Sequence, residues 1–559
     1  MTGATPADAA SAESIGTARQ NLWLTATVTM ALCVGLALRS FQLDLQILVD
    51  DEWHALSKIS SSSYLEIAGS FGFHDHSIPL TLLYKWIADH GALSEPAMFA
   101  LPYACGVIAC VFAAWAHRQW TTPMALGLFA LLLATSPLLV LYTRQARPYA
   151  ITLMLGLVAI WAIYRWYRQG GNRFAVLYVV AGSTAIYFHL IVAPALLGVW
   201  AWFAVDWWFG GARDPKRLAQ LATWGTVTTA VVAMLIGPPL AHDWGALTAK
   251  VGVDEVTAAA IYRMLMLVIG TRWPWLMITS MVLAAIGTAL LMRRYPHATF
   301  FAVGLVALQV LFVAASGALW LSHALLLARY TLLCLPLFLY AIAVGFAWVI
   351  EQAIAGRSFR NSIAFAATLT FAGLLYLSGP LPAALAYPDS FFSHLIHFFD
   401  VDPAHNELVA LLKPGPMPEF YRGLAAYEPG TKVVIEAPWR FESLFNRLPY
   451  FQQVHRQRVK IGFVGELCPP GAYAEFRRGR FRNFVDLNQP IAALRKSGDY
   501  IVFHKRLELA NMTESWQRYE GKGLPSVDAC IEKFKAILGP PFFEDATVTV
   551  FRLELSEAP

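Results

Sequence analysis

Charge is what this sequence has least of. Asp, Glu, Lys and Arg make up 14% of its 559 residues, where soluble domains carry about 25%. That excludes a chain built only of soluble domains. No cleavable signal is expected either: residues 1–20 are polar and rich in Ala, Ser and Thr, and the first apolar run is long enough to span a bilayer. No internal repeat occurs, and no low-complexity tract beyond that leader. Most span interiors lack Asp, Glu and Lys, whereas a transporter or flippase buries such groups mid-span and shows internal pseudo-symmetry. Cysteine is scarce. Cys33, Cys105, Cys110 and Cys334 lie in apolar runs, where a thiol packs as a small hydrophobe. Cys468 and Cys530 lie in a polar tail, and a disulfide between them requires that tail to face an oxidising compartment.

What is there is apolar: 57% of the residues, at a mean hydropathy of +0.50. The apolar residues come in runs of the roughly 20 residues that cross a bilayer as helix. The spans read at 21–41, 97–117, 122–142, 148–167, 174–190, 191–210, 218–240, 273–292, 298–318, 330–350 and 361–379, about eleven in all. Short loops carrying Arg118, Arg165/Arg168/Arg173, Arg213/Lys216/Arg217, Arg293/Arg294 and Arg357/Arg360 alternate correctly with these spans. Cytoplasmic loops hold the excess of Lys and Arg. The N-terminus is therefore expected in the cytoplasm and residues 380–559 outside it, in a cell inner (plasma) membrane.

The first outer loop, 42–96, is acidic: Asp44, Asp50, Asp51, Glu52, Glu66, Asp75, Asp89 and Glu95 face only Lys58 and Lys85. Within it SIPLTLLYKWIADHG (77–91) is amphipathic and too short to span, so it is expected to lie in the interface. In the tail, 432–437, 459–464, 500–505 and 547–553 read as strands and 529–538 as a helix stopped by Gly-Pro-Pro. The expected fold is a membrane all-α bundle (21–379) with interfacial helices in its first outer loop, followed by an extracytoplasmic α/β domain (380–559).

Five features can carry chemistry. In LVDDEWHAL (48–56), three adjacent acids close a span, and mutual repulsion with partial burial raises at least one pKa. Such a carboxylate can take a proton from an attacking hydroxyl or hold a divalent cation through oxygen ligands. It can equally be a solvated loop. His74, Asp75 and His76 form the second cluster, at a spacing that matches no zinc motif. The third is SPLLVLYTRQARPYA (136–150), which puts Arg144 and Arg147 at an outer span end, against the usual charge bias. Arginine there either grips phosphate with its planar donor fork or snorkels to lipid headgroups. Arg329-Tyr330 and Tyr187 with His189 mark two further outer ends; for Tyr187 an aromatic belt suffices. All five fall on one side. Carboxylates and arginines facing a lipid layer suit an enzyme that cleaves a lipid-linked phosphate.

In order and spacing these motifs resemble the bacterial polytopic GT-C glycosyltransferases, the group of lipid A aminoarabinose transferases, protein mannosyltransferases and lipopolysaccharide sugar transferases. A span ends in Asp51-Glu52, then come Asp75-His76-Ser77-Ile78-Pro79, Ser136-Pro137 through Tyr142, Arg144, Gln145, Arg147 and Tyr149, and finally Arg329-Tyr330 to Pro336. The likeness covers about residues 20–350 and extends to the α/β tail. His-Ser-Ile-Pro stands where the family has His-Pro-Pro, and Asp50 adds an acid. The resemblance implies a polyprenyl-phosphate-linked sugar donor and an inverting displacement onto a lipid, glycan or protein acceptor. It implies Asp51 as the general base, with Asp50 as alternative, Glu52 in support and Asp75 as second acid. His76, Arg144, Arg147, Arg329 and Tyr330 would hold the donor phosphate, with His74 and His189 nearby. No cofactor is required; a divalent metal stays open, with Asp51 and Asp75 as its ligands. A ligase or polymerase moving a whole glycan would use similar outer-face chemistry. No nucleic-acid partner is expected.

Overall fold

The computed structural model describes residues 6–48, 52, 55–56, 59, 62–71, 77–209, 214–252, 255–318, 321–322, 324–355, 360–385, 417–437, 448–463, 481–505 and 527–553. Contacts divide the chain into two units. One comprises Met1–Ser40, Pro102–Arg144 and Pro148–Pro380; the other comprises Phe41–Leu101, Gln145–Arg147 and Leu381–Pro559.

The first unit is a helical membrane bundle. Among the described residues nine helices are long and apolar enough to cross a bilayer, or ten if one bent pair counts as a span. The remaining expected span, 174–190, is the helix Asn172–Phe188, at 17 residues just short of that length. The bent pair is the expected span 122–142. It is broken into Pro123–Thr135 and Pro137–Arg144, which meet at 48°. The cause is local: Pro137 has no N–H to donate, and it forces Ser136 into extended backbone (φ −62°, ψ 121°).

Small residues set a close helix contact in this unit. Helices Pro274–Arg294 and Leu335–Ala353 approach at Gly287 and Gly345. A Cβ on Gly287 would run into the Ala341 carbonyl, and one on Gly345 into that of Leu283. Backbones in lipid associate through such close packing, since lipid supplies no hydrophobic drive between helices.

The second unit contains the interfacial stretch as helix Ile78–Asp89, burying Ile78, Leu80, Thr81, Tyr84 and Ala88 at helical spacing. It also contains a six-stranded sheet in the order β3-β2-β1-β4-β6-β5. Its strands are β1 (Val433–Ala437), β2 (Arg458–Phe463), β3 (Phe484–Asp486), β4 (Tyr500–His504), β5 (Phe543–Glu544) and β6 (Val548–Arg552). β1 to β4 pair in parallel, and β6 runs antiparallel to both β4 and β5. Helix Val527–Leu538 packs Cys530, Ile531 and Phe534 against Ile501, Phe503 and Phe551. Cys530 is disulfide-bonded; its expected partner Cys468 lies outside the described residues.

Candidate active site

The break at Ser136 leaves backbone to be satisfied. In an unbroken helix the Leu133 carbonyl would accept from residue 137, which is proline, and the Ala134 carbonyl from residue 138 beyond the bend. Arg39, fully buried at the end of the first span, supplies the donors instead. Its Nη1 donates to the Ala134 carbonyl at 2.9 Å and to that of Gly35 at 3.0 Å, and its Nη2 to that of Leu133 at 3.1 Å. Arg144 returns the arrangement. It is also fully buried, and its Nη1 donates to the carbonyls of Leu38 and Arg39, each at 3.3 Å. Arg144 closes the helix end that Arg39 grows from, and Arg39 closes Pro123–Thr135, the helix before the one that carries Arg144; in each case a cation also meets the negative end of a helix dipole.

Beyond the break the same motif enters the second unit. Glu52, 1% exposed, accepts the backbone N–H of Ala146 at 2.6 Å. Arg147 is 8% exposed. Tyr84, in the interfacial helix, donates its hydroxyl to the Met98 carbonyl at 2.8 Å. Burial, and then the Glu52 carboxylate, push its phenol well above the ordinary range, while Arg147 pulls it down. An acid of the first motif, an arginine of the third and a tyrosine of the interfacial helix thus share one buried environment. Asp50, Asp51, His74, Asp75 and His76 lie outside the described residues. Among the described residues no group of three His, Cys, Asp or Glu could hold a metal ion; Asp51 and Asp75, the expected ligands, are not among them.

A second grouping lies within the membrane bundle. The Arg329 guanidinium sits 5.0 Å from the Tyr149 ring and 5.4 Å from that of Tyr330. The His189 ring is 5.3 Å from Tyr149 and 6.3 Å from Tyr330, and Tyr142 packs edge-on to Tyr149 at 4.9 Å. Gln309, buried in helix Pro296–Ser316, donates to the carbonyls of Ile191 and Tyr330, both at 2.9 Å. It thereby pins the two segments that carry His189 and Arg329. Three residues expected at the site (His189, Arg329, Tyr330) therefore meet, around a tyrosine of the SP…RQAR.Y motif.

Sequence reasoning missed several polar groups. Arg39, at the end of the first span, was not singled out. Gln309 was hidden in an apolar run. Glu95 and Asn483, nearly 400 positions apart, bond each other. Glu436 and His504 read simply as strand residues, which they are. In the sheet Glu436 pairs in register with Val502, so His504, two residues on, shares its face. His504 Nε2 lies 2.6 Å from the Glu436 carboxylate, which also accepts from the Tyr421 hydroxyl at 2.8 and 3.0 Å. The one available signal was a charged residue inside a nearly continuous apolar strand.

No protein-family model and no curated protein matches the chain. Solved structures do. The crystal structure of ArnT from Cupriavidus metallidurans bound to undecaprenyl phosphate is 12% identical, covering 96% of this chain and 98% of that one, with a TM-score of 0.43. The apo state of that protein has the same identity and coverage, with a TM-score of 0.45. The archaeal oligosaccharyltransferase AglB from Archaeoglobus fulgidus, in complex with an inhibitory peptide and a dolichol-phosphate, is 13% identical over 87% of this chain and 70% of that one, with a TM-score of 0.43.

Proposed function

We propose that this chain is a membrane glycosyltransferase that moves a sugar from a polyprenyl-phosphate donor to an acceptor hydroxyl at the outer membrane face. The observation that carries this reading is the bond between Glu52 and the Ala146 N–H. It ties the acidic motif to the arginine motif across more than 90 residues of sequence, so that general-base and phosphate-binding chemistry share one neighbourhood. The disulfide at Cys530 supports an oxidising, extracytoplasmic setting for the sheet.

In this reading Asp51 removes the proton of the acceptor hydroxyl as its oxygen attacks the anomeric carbon. The bond from that carbon to the phosphate oxygen breaks on the opposite face, inverting the centre, and polyprenyl phosphate departs. Arg147, Arg329 and His76 offset the charge the phosphate gains; Arg144, expected with them, is committed instead to the carbonyls of Leu38 and Arg39. Glu52 is an anchor, because its carboxylate already accepts a backbone N–H. Removing one phosphate contact is expected to cost about 10²–10³-fold in rate.

The test is transfer from defined polyprenyl-phosphate sugars to membrane extracts by the protein in proteoliposomes, read by mass analysis of the product. Wild type is expected to transfer and Asp51→Asn to be folded and near-inactive. Undiminished transfer by Asp51→Asn would overturn the assignment of the base, and no transfer from any donor would overturn the reading.

A further inference from the structure

The stretch leading to the acidic cluster has no ladder of its own. Residues 41–45 form turns, and 46–48 belong to no helix or strand. Gln46, Ile47 and Leu48 are nonetheless fully buried. Gln42 adopts a positive φ of 46°, uncommon for a residue with a side chain. Buried carbonyls in such a segment need donors from elsewhere, since an unpaired one costs as much as a lost hydrogen bond.

The donor is Asn483, just before β3. Its Nδ2 donates to the carbonyls of Asp44 and Gln46, both at 3.0 Å, which accounts for both of its amide hydrogens. Its backbone N–H donates to Glu95 Oε1 at 2.9 Å, and the N–H of Arg482 to Glu95 Oε2 at 3.0 Å. Its carbonyl accepts from Ile461 of β2 at 2.8 Å. Asn483 is 5% exposed and Glu95 2%. One residue therefore joins the sheet to both ends of the first outer loop, near its start at 44–46 and its end at 95. The chain is anchored again at Glu52 through Ala146. In sequence, Asp50 and Asp51 lie between these two anchors.

We propose that Asn483, held by Glu95, is a positioning residue for the acidic segment, so that the C-terminal sheet is part of the frame of the active site and not a separable module. The catalytic half of this inference rests on the proposed transfer reaction; the structural half does not. Asn483 touches no reacting atom. It acts by fixing where the segment bearing the base begins, and misplacement by about 1 Å can cost about 10²-fold in rate.

The experiment uses the full chain in proteoliposomes, with Asn483→Ala and Glu95→Gln as independent ways to release the tie. Two readouts are taken: steady-state transfer and hydrogen exchange of the intact protein. Both variants are expected to lower kcat by about 10–10²-fold while KM for donor and acceptor stays within about threefold. Exchange over residues 42–48 should quicken by about tenfold or more, with β1 and β4 as protected as in wild type. Unchanged kcat in both variants overturns the positioning role. Unchanged exchange at 42–48 overturns the tie itself. Loss of protection throughout the sheet means that Asn483 only holds the fold, and also overturns the proposal. A wild type that transfers nothing overturns the reaction, while the exchange data still decide whether the tie exists.

Discussion

Replacing Arg39 by leucine tests the account of the broken span. The guanidinium serves the carbonyls of Leu133 and Ala134, and its loss leaves both buried beside an apolar side chain. A stranded buried acceptor costs about 1–3 kcal/mol, which gives about 2–6 kcal/mol for two. Interhelical hydrogen bonds in membranes average only about 0.6 kcal/mol, because groups freed in the membrane find other partners. Here the alternatives are poor: the residue four on from Leu133 is Pro137, which has no N–H, and only the Cys110 thiol, a weak donor, reaches the Leu133 carbonyl, at 3.8 Å. The larger figure should win, at about 3–4 kcal/mol. The assay is reversible unfolding in mixed micelles titrated with a denaturing detergent. Arg39→Lys should recover only part, since a single ammonium lacks the fork that reaches two helices. Pro137→Ala supplies an N–H to Leu133, so Arg39→Leu should cost less in that background, and the two changes should couple. A loss below about 0.5 kcal/mol in the original background, or full additivity with Pro137→Ala, would refute the reasoning.

Two other expectations follow from packing and burial. Gly345→Val drives a side chain into the Leu283 carbonyl and should destabilise the bundle by about 1–3 kcal/mol or more; an unchanged thermal midpoint in detergent would count against the close approach of these helices. His455, fully buried in the sheet unit, accepts the Gln457 N–H on Nδ1, and burial lowers its pKa from 6.5 to about 4. Between those values the unfolded imidazole binds a proton and the folded one does not. Its contribution is therefore complete above pH 6.5 and is lost on acidification toward 4, about 3 kcal/mol in all. Amide exchange of β1 and β4 in the intact protein should quicken over that window, and His455→Phe should flatten the dependence.

The spans were legible because lipid imposes a fixed length on apolar helices, and the strands at 433–437, 458–463, 500–504 and 548–552 because they are β-rich runs between turn residues. The strands at 484–486 and 543–544 are too short to stand out. The bend at 136 was hidden because 122–142 is long and apolar enough to read as one span, although Ser136 and the missing N–H of Pro137 were there to be read. Of the site, what was legible was local. RQAR and Arg329-Tyr330 stand out in the sequence by running against the charge bias of the side on which they are expected. What was not legible depends on pairing between distant segments, as with Asn483 on Asp44 and Gln46, or Gln309 on Ile191 and Tyr330.

The arginines show how burial divides what composition lumps together. Arg144 and Arg147 first read as one basic pair that either grips phosphate or snorkels to lipid headgroups. Snorkelling requires a guanidinium at the surface, and Arg144 is fully buried within the protein. Its Nη1 is committed to two carbonyls at the end of the first helix. Turning it to a phosphate would strand those carbonyls, a cost of the size worked out for Arg39. Arg147 stands in a different setting, in the unit where Glu52 is bonded one residue away at Ala146. Arg329 differs again, since its contacts with Tyr149 and Tyr330 are to ring faces. The pair that first read as either a phosphate grip or a headgroup contact thus separates into a helix-closing arginine at 144 and an arginine at 147 that keeps its proposed phosphate role, with Arg329 as the other proposed contact.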